Sequence, residues 1–342
     1  MGGLGWALAP CLVLAGCGLS NPAPFVDSRP PPGLAERFYP PENWAWGLIQ
    51  AGEGPAQRYG VAAPDATPKA DVLILPDYGE TAETWFETAR DLGAAGFNVW
   101  ILEGVGQGGS ARLTGQRDLG EVRSFDADVV ATKAMIQAVI RPRPRRPVVV
   151  LGEGVGALVA ARAVETWAAA GGLILSAPDC RPRPAASLLV SMGLGGLRAP
   201  GQGGWRRDAD DLSAGRTHDR WRGAVTQAWR IANPDLRMGG PSLDWRAAFA
   251  ELQRRAAADA GQIATPTLLI APASARSCLN LAAGESQRID GAGPALELED
   301  DARRGPWLKA VEGFVAKLVR RADPTPAKPV SSGDLFKAPS RR

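Results

Sequence analysis

The segment that decides the fold is "VVVLGEGVGALVAARAV", which runs from Val148 to Val164. Its first four residues are β-branched or aliphatic, as in a strand buried on both faces. Glycine then stands at positions 152, 154 and 156, and an alanine-rich stretch follows. The pattern predicts a strand, a tight glycine turn and a helix. It does not fit the G-x-G-x-x-G loop of dinucleotide-binding domains, and we exclude that kind of site.

Similar apolar runs recur along the chain and alternate with helical patterns. This alternation is typical of an α/β fold, with a mostly parallel central sheet and helices on both faces. The final helix is predicted over Gly305–Arg321. The buried strands are predicted at Val72–Leu75, Phe97–Leu102, Val148–Leu151, Gly172–Ser176 and Thr267–Ala271.

The alternation stops between Ser187 and Gln262. Two amphipathic helices are predicted there, each with an apolar stripe at helical spacing. We interpret residues 187–262 as a helical cap inserted between two strands. Core packing is the simpler role for the aromatic residues of both stripes. The stripes consist of Trp221, Val225 and Trp229 in one helix, and of Trp245, Phe249 and Leu252 in the other.

Composition narrows the possible functions. The chain has 342 residues, a net charge of +3 and no polybasic block, so we expect no nucleic-acid partner. His218 is its one histidine, which restricts histidine-based chemistry. Removal of a leader peptide would leave too few cysteines for a common four-ligand zinc site, and we expect no metal and no cofactor.

The N-terminal residues, "MGGLGWALAPCLVLAGCGLS", form a short apolar run that ends in small residues. Such a run is typical of a signal peptide. "LAGC" resembles the bacterial lipobox, which implies cleavage after residue 16 and lipidation of Cys17. We therefore expect a lipoprotein of the bacterial envelope that faces the periplasm. An ordinary apolar helix with a chance cysteine is the alternative. Residues 17–36 are interpreted as a Pro-rich tether, and residues 322–342 as a disordered tail.

Four further stretches carry a resemblance to a known family. They are "ADVLILPDYGETAETWFETARDLGAAGFNVWILEGVGQGGS", "ANPDLRMGGPSLDWRAAFAEL", "ATPTLLIAPASARSCLNLAAGE" and "RIDGAGPALELEDDARRGPWLKAVEGFV". Residues 37–321 resemble the α/β-hydrolases of the monoacylglycerol lipase and lysophospholipase type, which are serine aminopeptidase S33-like. The resemblance implies the α/β-hydrolase fold with a helical cap.

The same resemblance implies that the catalytic residues are missing. The family carries its nucleophile in a G-x-S-x-G turn, and Gly154 stands at the serine position. Ala275 stands at the catalytic acid and Pro294 at the histidine, while Pro76-Asp77 replaces the His-Gly of the oxyanion loop. A serine hydroxyl needs a base, and the base needs an acid to orient it. The backbone amides of Tyr78 and Val155 are expected to remain as oxyanion-hole-like donors.

Four other residues are candidates for a relocated catalytic group. Solvent exposure is the simpler prediction for His218, and a structural role is the simpler one for Ser110 and Ser176. Cys278 lacks an imidazole to activate it. Cys180 and Cys278 follow strands that this fold places side by side, and we predict that they can form a disulfide.

A set of acidic residues follows the core strands. Asp77, Glu103 and Glu153 lie at or near the carboxyl ends of adjacent predicted strands, where open α/β sheets place ligands. They are a candidate cation-binding or proton-sharing cluster. The alternative is that each carboxylate is solvated or bound to loop amides.

These patterns favour a catalytically inactive, membrane-anchored hydrolase homologue. We expect it to act as a binding or scaffold lipoprotein, with a lipid-like ligand or an envelope protein at the cap cleft. The alternatives are a structural component of an envelope complex and an active lysophospholipase or carboxylesterase with a relocated catalytic group.

Overall fold

The structure is a computed structural model that describes residues 23–165, 170–181, 187–208 and 215–323. The predicted signal peptide, the predicted lipidation site at Cys17 and all but the first two residues of the predicted tail lie outside the described residues. Within these ranges no helix has the length and apolar character needed to cross a membrane.

Eight strands form one sheet at the centre of the molecule, in the order β1-β2-β4-β3-β5-β6-β7-β8. The first two strands add to the edge of the sheet in antiparallel fashion, and all other pairs are parallel. The strands are β1 (Trp44–Ile49), β2 (Gln57–Ala62), β3 (Ala70–Leu75), β4 (Phe97–Leu102), β5 (Val148–Glu153), β6 (Gly172–Ser176), β7 (Thr267–Pro272) and β8 (Glu285–Ile289).

Helices cover both faces of the sheet, as predicted. The helices are α1 (Phe86–Ala94), α2 (Asp126–Ala134), α3 (Val155–Glu165), α4 (Ser187–Leu189), α5 (Arg220–Ala232), α6 (Leu243–Asp259) and α7 (Asp301–Ala322). Helices α2, α3 and α6 share one apolar core with the sheet. Helices α1 and α7 share the core on the opposite face. The fold therefore has three layers, and the carboxyl ends of the parallel strands meet at one edge.

The five predicted strands are all present. The edge strand β1 and its neighbour β2 were not predicted because their residues do not form a continuous apolar run. In β1 only Ile49 is buried, and β2 includes the buried residues Gln57 and Arg58. The last helix begins at Asp301, four residues before its predicted start.

The predicted cap extends too far along the chain. Trp245, Phe249 and Leu252 of α6 pack into the core that contains α3, so this helix belongs to the sheet layers and not to a cap. In α5, Val225 and Trp229 are buried as predicted, but the Trp221 side chain is 69% exposed. The described residues that remain in the predicted cap are therefore 187–208 and 215–242.

The predicted tether is also too long. From Ala23 onwards this segment lies along the domain. The Phe25 N–H donates to the Gly109 carbonyl (2.9 Å), and the Phe25 ring lies under the Arg58 guanidinium. Asn233 of the cap side makes two hydrogen bonds with the Arg29 backbone. Residues 23–36 are therefore held against the domain and do not form a free linker.

Candidate functional site

The glycine turn after β5 begins the site. Strand β5 ends at Glu153 and helix α3 begins at Val155, so Gly154 alone makes the turn. Its φ angle is +54°, which L-residues with a side chain rarely adopt. A Cβ atom on Gly156 would lie 2.0 Å from the Leu75 carbonyl oxygen, so the helix can approach β3 closely only with glycine there. This is the backbone of a nucleophile turn without a side chain.

The Asp77 carboxylate lies where a side chain at position 154 would be. A Cβ atom on Gly154 would lie 2.2 Å from both Cγ and Oδ1 of Asp77. The Val155 N–H donates to Asp77 Oδ1 at 2.8 Å. This amide is one of the two predicted oxyanion-hole-like donors, and an acid of the protein itself uses it.

Arg216 holds the other side of this carboxylate. Its Nη2 atom lies 3.0 Å from Asp77 Oδ2 and 3.1 Å from Glu80 Oε1. Burial alone would lower the pKa of Arg216, but Asp77 and Glu80 raise it above its usual value. The guanidinium therefore stays charged and links two buried carboxylates, which is the arrangement that makes such carboxylates tolerable.

Two more buried acids lie close to Glu80 and Arg216. Glu153 and Glu297 are each 1% exposed, and neither carboxyl group makes a hydrogen bond of good geometry in the described residues. Burial raises the pKa of Glu153 well above its usual value, and the charge of Glu80 adds to the rise. Burial and the nearby Glu153 raise the pKa of Glu297 in the same way. Both side chains are therefore stabilised in the neutral, protonated form.

The acidic cluster differs from the predicted one. Asp77 and Glu153 belong to it, together with Glu80 and Glu297. Glu103 does not, because its carboxylate forms a separate buried ion pair with Arg58 (2.6 Å). The inclusion of Glu103 in a candidate site is therefore wrong, and its role is structural.

One cavity connects the three positions at which catalytic residues were expected. Its volume is about 640 Å³, and Gly154, Ala275 and Pro294 all line it. Arg181, Arg216 and Arg276 contribute guanidinium groups to its wall. Cys180 and Cys278 form a disulfide at this end of the sheet, with Cα atoms 5.2 Å apart. The positions assigned from the sequence thus lie around a single space.

Comparisons with known proteins agree with this geometry. The family model described as serine aminopeptidase, S33, matches residues 66–282. The chain belongs to the S33 family of α/β-hydrolases. It is 28% identical over 274 residues to lysophospholipase L2 of Escherichia coli. The alignment covers 71% of this chain and 79% of that protein.

Solved structures show the same fold. The monoacylglycerol lipase of Paleococcus ferrophilus matches with a TM-score of 0.59 and 16% identity, over 77% of this chain and 99% of that one. A soluble variant of the monoglyceride lipase of Saccharomyces cerevisiae matches with a TM-score of 0.61 and 15% identity, over 84% and 98% of the two chains. At this level of identity the matches establish the α/β-hydrolase fold.

In this S33 chain the three candidates for a relocated nucleophile, Ser110, Ser176 and Cys278, have structural partners. The Ser110 hydroxyl accepts from the Arg58 N–H at 2.9 Å, and the Ser176 hydroxyl accepts from the Trp307 indole at 2.9 Å. Cys278 is oxidised in the disulfide. The backbone N–H of Tyr78, the second predicted oxyanion-hole-like donor, makes no hydrogen bond with the described residues, while the Tyr78 hydroxyl donates to the Gly239 carbonyl at 2.9 Å.

His218 lies closer to the expected histidine loop than its sequence position suggested. Its Nδ1 atom lies 2.9 Å from Glu299 Oε1, and Glu299 follows Pro294 by five residues. The His218 side chain is 51% exposed, and the residue does not line the cavity. Within the described residues no group of histidine, cysteine and acidic side chains is placed to hold a metal ion.

Proposed function

We propose that this S33 protein is a catalytically inactive hydrolase homologue that uses the former catalytic cleft to bind a ligand. The observation that carries the proposal is the position of Asp77. Its carboxylate fills the space of a nucleophile at Gly154 and accepts the Val155 amide that would stabilise an oxyanion. A negative charge at that place opposes the charge that develops on an ester oxygen during hydrolysis.

The base and the acid are missing from their expected positions in the cavity wall, and Asp179, the other acid of that wall, is paired with Arg181. Ala275 carries no carboxylate, and Pro294 carries no titratable group. His218, the one histidine of the chain, is absent from the residues that line the cavity. Ester hydrolysis by a serine enzyme needs nucleophile, base and oxyanion donors within hydrogen-bond reach of one another. The described residues around the cavity do not supply that set.

We also propose that the protein is a membrane-anchored lipoprotein of the bacterial envelope, attached through lipidated Cys17. The support is the resemblance of "LAGC" to the lipobox. A second support is the cap segment 187–197, where Leu188, Met192 and Leu197 are 72%, 64% and 56% exposed. Exposed apolar side chains in one short segment favour contact with a membrane or a partner protein.

An active lysophospholipase or carboxylesterase is the second candidate, because one observation favours it. Asp77 places a carboxylate at the nucleophile position, and carboxylates act as nucleophiles in some hydrolases. Against it, Oδ1 and Oδ2 of this carboxylate are bound to the Val155 amide and to Arg216. A carboxylate held in this way is stabilised and a poorer nucleophile.

Two assays on the purified protein test the proposal. One is stoichiometric labelling by a fluorophosphonate probe, and the other is hydrolysis of lysophosphatidylcholine. Escherichia coli lysophospholipase L2 is the reference protein in both. We expect neither labelling nor turnover above the buffer rate. Turnover that co-elutes with the protein in gel filtration would contradict the proposal.

Anchoring is tested separately in bacterial cells. We expect the wild-type protein to fractionate with membranes and to incorporate labelled fatty acid. Cys17→Ala should abolish the incorporation of fatty acid, whereas Cys11→Ala should not change it, because residue 11 precedes the predicted cleavage site. Equal incorporation of fatty acid by wild type and Cys17→Ala would contradict lipidation at Cys17.

A further inference from the structure

The cavity around Gly154 has the dimensions of a ligand site. Its volume of about 640 Å³ lies in the range of roughly 300–1,000 Å³ that is common for small-molecule sites. Much of its wall is apolar, with Ala177, Pro178, Pro272 and Ala292 among the lining residues. Polar groups that converge on such a wall determine which ligand it accepts.

Arg216 contributes hydrogen-bond donors that the protein does not use. Asp77 and Glu80 both contact the same nitrogen, Nη2. The Nη1 atom makes no hydrogen bond with the described residues, and the side chain is 23% exposed, whereas the Nε atom is also unpartnered but buried. A guanidinium carries five N–H donors in a fixed planar arrangement. The Asp77 and Glu80 contacts fix this group in the wall while leaving part of its donor set open.

Two further arginines line the same cavity. Arg181 is fixed by Asp179, which accepts from its Nε (3.0 Å) and Nη2 (3.1 Å). Arg276 is exposed, and it makes no ion pair or hydrogen bond with the residues that the structure describes. The disulfide between Cys180 and Cys278 joins the two loops that carry these arginines. The loops are therefore held together at the cavity.

The charges of the lining residues favour an anion. The wall contains the three arginines and two aspartates, Asp77 and Asp179. Each aspartate is already paired with one arginine, which leaves the charge of Arg276 without a partner among the described residues. Glu80 does not line the cavity but also contacts Arg216, so Arg276 is the lining arginine whose charge no acid of the described residues contacts.

We infer that this cavity binds a phosphate group, with Arg216 in its wall and Arg181 and Arg276 as further ligands. The inference names the ligand class for the proposed binding function and rests on it. Phosphate has several acceptor oxygens, and guanidinium groups recognise it through paired hydrogen bonds. The apolar part of the wall accommodates the body of a phosphate monoester. Such a group occurs on soluble metabolites and on lipid headgroups.

Calorimetric titration with three probes tests the inference and distinguishes the two sources. The probes are inorganic phosphate, glycerol 3-phosphate and a short-chain lysophosphatidic acid below its micellar concentration. Sodium chloride keeps the ionic strength equal. We expect saturable binding with one site per protein. Similar affinity for the two esters indicates a soluble ligand, and much tighter binding of the lysophosphatidic acid indicates a lipid. No saturable binding of any probe would overturn the inference.

Two variants at the site are expected to change the affinity for the phosphate probes in opposite directions. Arg276→Gln should weaken binding about tenfold, since it removes a charge-assisted contact from an exposed side chain without disturbing the core. Asp77→Asn should strengthen binding several-fold, because it keeps the shape of the side chain and removes a negative charge. Arg143→Gln, which changes an exposed arginine beyond the opposite ends of the strands, is the matched control. Unchanged affinity in both Arg276→Gln and Asp77→Asn would also overturn the inference.

Ester hydrolysis measured on the same samples separates the two proposals. Turnover together with phosphate binding would contradict the proposed inactivity and leave the binding site intact. An inactive protein that binds none of the three probes would contradict this inference alone.

Discussion

The Asp77 carboxylate and the side-chain position of Gly154 occupy the same space. A Cβ atom on Gly154 would lie 2.2 Å from Asp77 Cγ, well inside van der Waals contact. The glycine at position 154 and the aspartate in the loop after β3 are therefore linked in three dimensions. Under the proposed inactivity, we expect that a single substitution at either position does not produce an active S33 enzyme.

The first prediction concerns the stability of Gly154→Ser. The new side chain would displace Asp77 and would hold a positive φ angle, and together these costs amount to about 3 kcal/mol. Gly193→Ser is the matched control, because Gly193 has a φ of +79° with no atom within 4 Å of the added Cβ. It should lose only about 1 kcal/mol. Chemical denaturation measures both; equal losses would show that Asp77 does not restrict position 154.

The second prediction concerns restoration of activity. Gly154→Ser alone should not hydrolyse a short-chain nitrophenyl ester, because nothing activates the hydroxyl. Adding Pro294→His supplies a base without an orienting acid, and Ala275→Asp supplies that acid. Asp77→Gly is needed as a fourth change, since it frees the Val155 amide. We expect turnover only in the fourfold variant. Robust turnover by Gly154→Ser alone would reveal a base that this account lacks.

The third prediction concerns pH. The folded state raises the pKa of Glu153 and Glu297 well above the ordinary 4.5, mainly by burial. Folded protein then binds protons that unfolded protein releases. The stabilisation from these groups is complete below about pH 4.5 and is lost as the pH rises through the raised values. Glu153→Gln and Glu297→Gln should therefore reduce the fall in Tm that occurs as the pH rises above about 4.5.

The control for the pH experiment is Glu53→Gln, which changes an exposed carboxyl group. It should keep the wild-type dependence of Tm on pH. If the two buried variants also keep it, Glu153 and Glu297 do not hold extra protons in the folded state.

The fourth prediction tests whether Glu103 contributes to the stability of the fold and not to ligand binding in the cavity. Arg58 is fully buried between Glu83 and Glu103, with Nη2 contacts of 2.9 and 2.6 Å. Arg58→Met leaves two buried acids without their cation and should cost about 3–5 kcal/mol. Phosphate affinity should not change in the folded fraction. Arg143→Met is the exposed control for stability, and a cost as small as that control would contradict the structural role.

The sequence predicted the sheet where strands are buried on both faces. Runs such as Phe97–Leu102 can be identified because five of the six residues are apolar. Strand β8 (Glu285–Ile289) has mostly exposed side chains, and its composition carries no such signal. Helix α6 was assigned to the cap because an amphipathic pattern does not say which surface the apolar face covers.

The site was only partly predictable for a related reason. The positions of Gly154, Ala275 and Pro294 followed from the family pattern. Arg216 lies in an aperiodic connection and Glu297 in a single helical turn, so no spacing rule links them to Asp77. The position of Glu103 at a strand end was correct, but strand position does not determine the partner of a side chain. Arg58, which forms the ion pair with Glu103, lies in β2, a strand that was not predicted.

Hydrolysis of a nitrophenyl butyrate ester by wild type and Asp77→Ala tests the central claim most directly. The claim is that the Asp77 carboxylate replaces the nucleophile without acting as one. Co-elution of any activity with the protein in gel filtration excludes a contaminating esterase. We predict that neither protein exceeds the buffer rate. Wild-type turnover that Asp77→Ala abolishes would contradict the account and identify Asp77 as the nucleophile.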